Sequence, residues 1–203
     1  MVNTCIFSGS FNPVHNGHLS LAMHIIGHCG FDELWFLVSP ENPLKQGLYT
    51  VSAAERYNML KIAVKGIDGV CASDYELHLP TPTYTCQTLR SLSADYPNRR
   101  FALLVGADNM AVFDKWKEHR FILDNYRVVV YPRPGVDIGA LKARYPSMET
   151  IDGAPLFNVS GTMIRQRIAQ GMSCRGLLDP KVESYIRRKG LYGCKPLKLD
   201  ISR

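Results

Sequence analysis

Residues 2–18 read Val2-Asn3-Thr4-Cys5-Ile6-Phe7-Ser8-Gly9-Ser10-Phe11-Asn12-Pro13-Val14-His15-Asn16-Gly17-His18. Val2–Phe7 is the pattern of a strand buried on both faces, and the periodicity from Gly17 to His28 is that of a helix, with Leu19, Ala22, Met23 and Ile26 expected on one side. Between them, Gly9 lets the backbone turn sharply and pass close to a ligand. The loop then opens a helix, whose first N–H groups lack internal partners and attract anions. His15 and His18 stand three residues apart at that helix start, so both imidazoles share one side. Each can donate to a phosphate oxygen. A structural cap would use the same residue types, and a metal pair would need further ligands at zinc-like spacing, which the neighbourhood lacks.

Outward from this stretch the chain alternates. Strands are expected at Leu34–Val38, Val70–Ser73, Phe101–Val105, Arg127–Tyr131 and near Leu156–Val159. Helices are expected at Ser52–Lys65, with Ser52 as cap and Glu55 as its capping-box partner, and at Thr85–Asp95. Shorter ones are expected near Asp108–Phe113 and Glu118–Asp124, then at Ile138–Tyr145, Thr162–Gln170 and Asp179–Lys189, the last stopped by Gly190. Continuous apolar strands separated by helices imply an α/β, Rossmann-like, doubly wound fold with a mostly parallel sheet covered on both faces. The 203 residues suit a single domain, 1–203, with a helical C-terminal part at about 162–192. Such sheets bind ligands at the C-terminal ends of the strands, where strand order reverses.

Composition narrows the partners. The net charge of +6 and pI near 9.0 favour anionic ligands, but the basic residues are dispersed. The densest cluster, Arg187-Arg188-Lys189, ends a helix and matches its dipole there, so nucleic acid is not the expected partner. No apolar run approaches the roughly 20 residues of a spanning helix, and residues 1–7 do not read as a signal peptide. The expectation is a cytoplasmic protein without a membrane partner. The six cysteines form no C-x-x-C pair and read as small core residues rather than a disulfide set or zinc site.

Further residues at strand ends carry chemistry. In Val159-Ser160-Gly161-Thr162-Met163-Ile164-Arg165, Ser160 or Thr162 can cap the following helix. Arg165 in its first turn opposes the dipole by about 0.3–1 kcal/mol unless an anion lies between them. Asp108, in Gly106-Ala107-Asp108-Asn109, follows the strongest strand, where a ribose-binding carboxylate would sit. It is equally a simple helix cap. Thr83-Tyr84-Thr85-x-x-Thr88-Leu89 opens a helix with hydroxyls, and Trp116 stands in a polar stretch where an aromatic can stack on a flat ring.

The stretch Gly9-Ser10-Phe11-Asn12-Pro13-x-His15-x-Gly17-His18 resembles the G-[ST]-F-[DN]-P-x-H-x-G-H signature of the nucleotidyltransferase superfamily. Val159–Arg165 resembles that superfamily's [IV]-S-[ST]-x-[IL]-R element, with Gly161 in place of the commoner Ser or Thr. Together with Tyr84-Thr85, Gly106-Ala107-Asp108, Trp116 and Arg133-Pro134-Gly135, the chain from Ile6 to about Tyr192 resembles the bacterial nicotinate mononucleotide adenylyltransferases. The resemblance implies condensation of nicotinate mononucleotide with ATP, accompanied by Mg2+, to give nicotinate adenine dinucleotide and pyrophosphate on the route to NAD. It implies that His15, His18, Lys45 and Arg165 act on the phosphates. ATP would be bound by Gly9, Ser10, Phe11, His18, Gly106, Arg133, Val159, Ser160, Thr162 and Arg165, and the mononucleotide by Tyr84, Thr85, Asp108 and Trp116. It names no protein metal ligand and allows a homodimer. A nicotinamide mononucleotide or phosphopantetheine acceptor, a nucleotide sensor and a nucleic-acid-binding module are the competing readings.

Overall fold

The computed structural model describes residues 1–40, 51–151, 153–154 and 159–194. Six strands, β1 (Val2–Gly9), β2 (Glu33–Val38), β3 (Val70–Ser73), β4 (Arg99–Gly106), β5 (Arg127–Tyr131) and β6 (Glu149–Thr150), form one sheet in the order β3-β2-β1-β4-β5-β6. Every neighbouring pair is parallel. The order reverses between β1 and β4, which places a crevice at Gly9 and Gly106, the C-terminal ends of those strands.

Alternation along the strands divides the core. Cys5, Phe7, Leu34, Phe36, Ala102, Leu104 and Val129 face one side. They meet α1 (Asn16–His28), α2 (Ala53–Val64), α7 (Gly161–Ala169) and α8 (Pro180–Lys189). Ile6, Leu37, Leu103, Val105, Val128 and Val130 face the other, against α3 (Thr85–Asp95), α4 (Ala107–Met110), α5 (His119–Asn125) and α6 (Ile138–Arg144). A sheet buried on both faces explains the unbroken apolar strands. This is the doubly wound, Rossmann-like arrangement.

Some local expectations need correction. β1 runs two residues past Phe7, because Ser8 and Gly9 pair with Leu37 and Val38. The buried face of α1 is Leu19, Leu21, Ala22 and Ile25, whereas Met23 is 50% exposed. Both sets have helical spacing, and packing against the sheet selects between them. Ser52 caps α2 by accepting from the Glu55 N–H at 3.3 Å. The Glu55 carboxylate, however, accepts the Tyr185 hydroxyl proton from α8. The edge strand is Glu149–Thr150, held by the Arg127–Glu149 ion pair at 2.8 Å. Of the strand expected near Leu156–Val159, residues 156–158 lie outside the described residues, and Val159 is not in a strand. All six cysteines are free, and Cys5, Cys86, Cys174 and Cys194 are buried as expected, but Cys71 is exposed.

Candidate active site

A cavity of about 850 Å3 opens at the reversal point. Its floor is the C-terminal end of β4 and its walls are the loop after β1 and the start of α7. The expected site residues Gly9, Ser10, Phe11, His15, His18, Thr85, Gly106, Asp108, Trp116, Arg133, Val159, Ser160, Thr162 and Arg165 all line it. Tyr84 does not. It precedes α3, is 39% exposed and carries the Lys117 ammonium 4.4 Å above its ring. Lys45 lies outside the described residues.

The loop after β1 is tightly determined. Phe11 is buried with φ +42°, the left-handed region that costs a bulky residue energy. Its ring folds over Gly9, where a Cβ would meet it at 3.1 Å, and stands edge-on to Phe7, Phe36 and His18. Arg56 of α2, only 3% exposed, donates to the carbonyls of Ser10 at 2.5 Å, Ser39 at 2.8 Å and Val51 at 3.2 Å. From the other side, Arg165 donates to the Asn12 carbonyl at 2.7 Å and to Thr162 Oγ1 at 3.1 Å. The Tyr192 hydroxyl donates to Asn12 Oδ1 at 2.7 Å. Three distant segments therefore hold the strained turn.

His15 caps α1, and its backbone N–H donates to His18 Nδ1 at 3.2 Å. That bond leaves the proton of neutral His18 on Nε2, a donor for the cavity. The two rings stack with centroids 3.6 Å apart. Burial, reinforced by Arg133, lowers His15 to about 4. Burial, His15 and Arg133 hold His18 well below the ordinary histidine range. Both are therefore neutral hydrogen-bond donors at pH 7. Neither α1 nor α7 has an acidic residue in its first turn, so no side-chain charge cancels their partial positive ends.

The lowered His15 value has a consequence for stability. Between about pH 6.5 and 4 the unfolded chain binds a proton at His15 that the folded chain excludes, so stability is lost as pH falls through that window. For His15 alone the loss at pH 5 relative to neutral is on the order of 2 kcal/mol. Urea midpoints at pH 7 and pH 5 should show it, and His15→Gln should reduce the difference. Equal pH sensitivity in that variant would assign the loss to other groups.

On the β4 side, Asp108 Oδ1 lies where a Cβ on Gly106 would be 2.4 Å away, so only glycine lets the carboxylate fold back over the strand end. Arg133 stands 3.6 Å from Asp108, donates to the Tyr131 hydroxyl at 3.0 Å and lies 4.9 Å from that ring's centroid. Ser160 is the cap of α7, accepting from the Met163 N–H at 3.2 Å. The departure at Gly161 is explained by contact: a Cβ there would lie 2.8 Å from the Asn12 carbonyl oxygen. Glycine lets the helix start press against the turn that Arg165 holds.

Arg56 and Glu76 are the residues that the reading of the sequence missed. Arg56 shares the spacing of Met59, Leu60 and Ala63 on the buried face of α2, and a charge on an apolar helix face was the signal available. Glu76, 4% exposed, carried no such periodic mark.

The residues 6–167 match the model of the cytidylyltransferase-like family. Over 179 residues, 88% of both chains, the protein is 41% identical to one from Bacteroides fragilis named probable nicotinate-nucleotide adenylyltransferase. A protein of the same name from Bacteroides thetaiotaomicron is 41% identical over 92% of this chain and 91% of its own. The fold is also that of Plasmodium falciparum nicotinic acid mononucleotide adenylyltransferase complexed with NaAD, at a TM-score of 0.82 and 20% identity, covering 95% of this chain and 98% of that one. Sequence and fold agree: the chain belongs to the cytidylyltransferase-like family and, within it, to the nicotinate-nucleotide adenylyltransferases.

Proposed function

We propose that the cavity joins the phosphate of nicotinate mononucleotide to the AMP part of ATP, releasing pyrophosphate and forming nicotinate adenine dinucleotide for NAD biosynthesis. The observation that carries this reading is that one cavity is lined by neutral His15 and His18 at the start of α1, by Arg165 at the start of α7, and by Asp108, Thr85 and Trp116. The first set suits a triphosphate and the second a ribose and a flat ring.

The reaction is an in-line displacement. An oxygen of the mononucleotide phosphate forms a bond to the α-phosphorus as the bond to pyrophosphate breaks. The nucleophile is already ionised, so no protein base or covalent intermediate is required. His18 Nε2–H donates to the α-phosphate, where charge rearranges in the transition state, and His15 supports the neighbouring β-phosphate. Arg165, with Ser160 and Thr162 beside it, takes the β- and γ-phosphates. Catalysis then comes from alignment and charge stabilisation. Asp108 accepts from ribose hydroxyls and Trp116 stacks on the pyridine ring. Gly9, Ser10 and Phe11 let ATP approach the loop backbone, while Gly106, Val159 and Arg133 line the adenosine side. Lys45 adds phosphate neutralisation.

Nucleotidyltransferases generally depend on a divalent metal, and Mg2+ is the ion assigned here. Among the described residues no three His, Cys, Asp or Glu side chains gather into a metal site. His15, His18 and Arg165 offer the cavity nitrogen donors suited to anions, so an ion would be held mainly by the nucleotide phosphates rather than by these side chains. When bound it neutralises charge on those phosphates.

Pyrophosphate release with nicotinate mononucleotide, nicotinamide mononucleotide and phosphopantetheine as parallel acceptors tests the reading. Preference for the first is expected, and preference for another acceptor would reject the assignment of the pocket. Trp116→Ala is expected to raise the mononucleotide KM by about 5- to 150-fold, the range for a lost stack of a flat ring on an aromatic side chain, with little change in the KM for ATP. An effect confined to ATP would place the ring elsewhere.

A further inference from the structure

Glu76 sits in a 3-10 turn, Tyr75–His78, between β3 and α3. Its carboxylate accepts from the Ser8 hydroxyl at 3.0 and 3.1 Å and from Thr88 Oγ1 at 3.1 Å. The Ser39 hydroxyl stands 3.0 Å from that of Ser8, beside the carboxylate, and helps to draw its pKa down. These three hydroxyls belong to different elements. Ser8 ends β1, Ser39 follows β2, and Thr88 lies in the first turn of α3, three residues after Thr85. Ser8, Ser39 and Thr85 line the cavity, whereas Thr88 is buried behind it.

A carboxylate taken out of water is costly unless its oxygens are satisfied. None of the ion pairs among the described residues includes Glu76. Hydroxyl donors satisfy it instead. Burial pushes its carboxyl up, and the three hydroxyls draw it back. An apolar side chain would fill this space without that cost, but it could not fix three hydroxyls at once.

We infer that Glu76 is a positioning residue for adenylyl transfer: by gathering Ser8, Ser39 and Thr88 it locks the start of α3, and Thr85 with it, against the strand ends that carry the phosphate loop. The inference rests on the proposed placing of Thr85 in the mononucleotide pocket. Its consequence is that the two substrates are held in register through a group that touches neither.

Steady-state kinetics with both substrates tests this. Thr88→Val removes one donor at constant volume and leaves Glu76 in place. The mononucleotide KM should rise by about 3- to 10-fold, the range for one lost hydrogen bond, with the ATP KM within about twofold. Thr88→Ser should restore it. Glu76→Gln should raise the mononucleotide KM and also lower kcat, because the Ser8 arm is loosened too. A lower melting temperature in Thr88→Val with both KM values unchanged would overturn the inference, since it would show packing alone. Thr85→Val separates the two levels. If it leaves the mononucleotide KM unchanged, the pocket reading fails and the inference with it. If it raises that KM while Thr88→Val does not, the role of Glu76 fails and the pocket stands.

Discussion

His18→Ala is expected to lower kcat by about 100- to 1,000-fold, the usual cost of losing one transition-state donor, while the KM for ATP changes far less. The expectation follows from the bond between the His15 N–H and His18 Nδ1, which orients the ring and leaves its proton on Nε2. It also follows from the depressed pKa, which keeps the ring a neutral donor instead of a charge that would bind ground state and transition state alike. His18→Asn should recover part of the loss, because an amide N–H can reach toward the same oxygen from a shorter stem. Turnover of His18→Ala close to the parent enzyme's would remove the histidine from the chemistry. A rise in the KM for ATP at constant kcat would make it a binding residue only.

Arg165→Ala is expected to cut kcat/KM for ATP by a similar factor, about 100- to 1,000-fold, because it loses two functions together. The guanidinium holds the Asn12 carbonyl at 2.7 Å and Thr162 Oγ1 at 3.1 Å, and so fixes the turn after β1 against the start of α7. It also supplies the cation assigned to the leaving phosphates. Charge-assisted hydrogen bonds are worth about 1.5–3 kcal/mol each, and an anion left beside the helix start without Arg165 loses its partner. Arg165→Lys separates the functions, since an ammonium keeps the charge but cannot fork between two acceptors. It should recover roughly a tenth or less of the parent kcat/KM. Full activity in Arg165→Lys would show that charge alone suffices and that the contact with Asn12 plays no part in turnover.

The residues in the proposed phosphate roles were legible because their signals are local. Gly9 ends one strand and His15 and His18 open the helix that follows, while Ser160, Thr162 and Arg165 share one helix start, so local spacing brings each group together. The hydroxyl and guanidinium network behind them was not legible. Arg56 reaches Ser10 across 46 residues, Glu76 reaches Ser8 across 68, and Tyr192 reaches Asn12 across 180. No periodicity encodes such pairings. Tyr84 shows the converse limit: a residue inside a recognisable segment stands outside the cavity, because the cap position of α3 turns its ring toward Lys117.

What the sequence determined by itself is the alternation of apolar strands with helices, and therefore a parallel sheet covered on both faces with ligand loops at the strand ends. Hydrophobic period and turn chemistry act over a few residues, so they can be read without knowing the neighbours. What only the tertiary structure decided is which face of α1 is buried, the short edge strand Glu149–Thr150, and the placing of Gly161 2.8 Å, measured from an added Cβ, beneath the Asn12 carbonyl. Close packing made those choices, because a helix with two adequate apolar stripes takes the one whose neighbours leave no void.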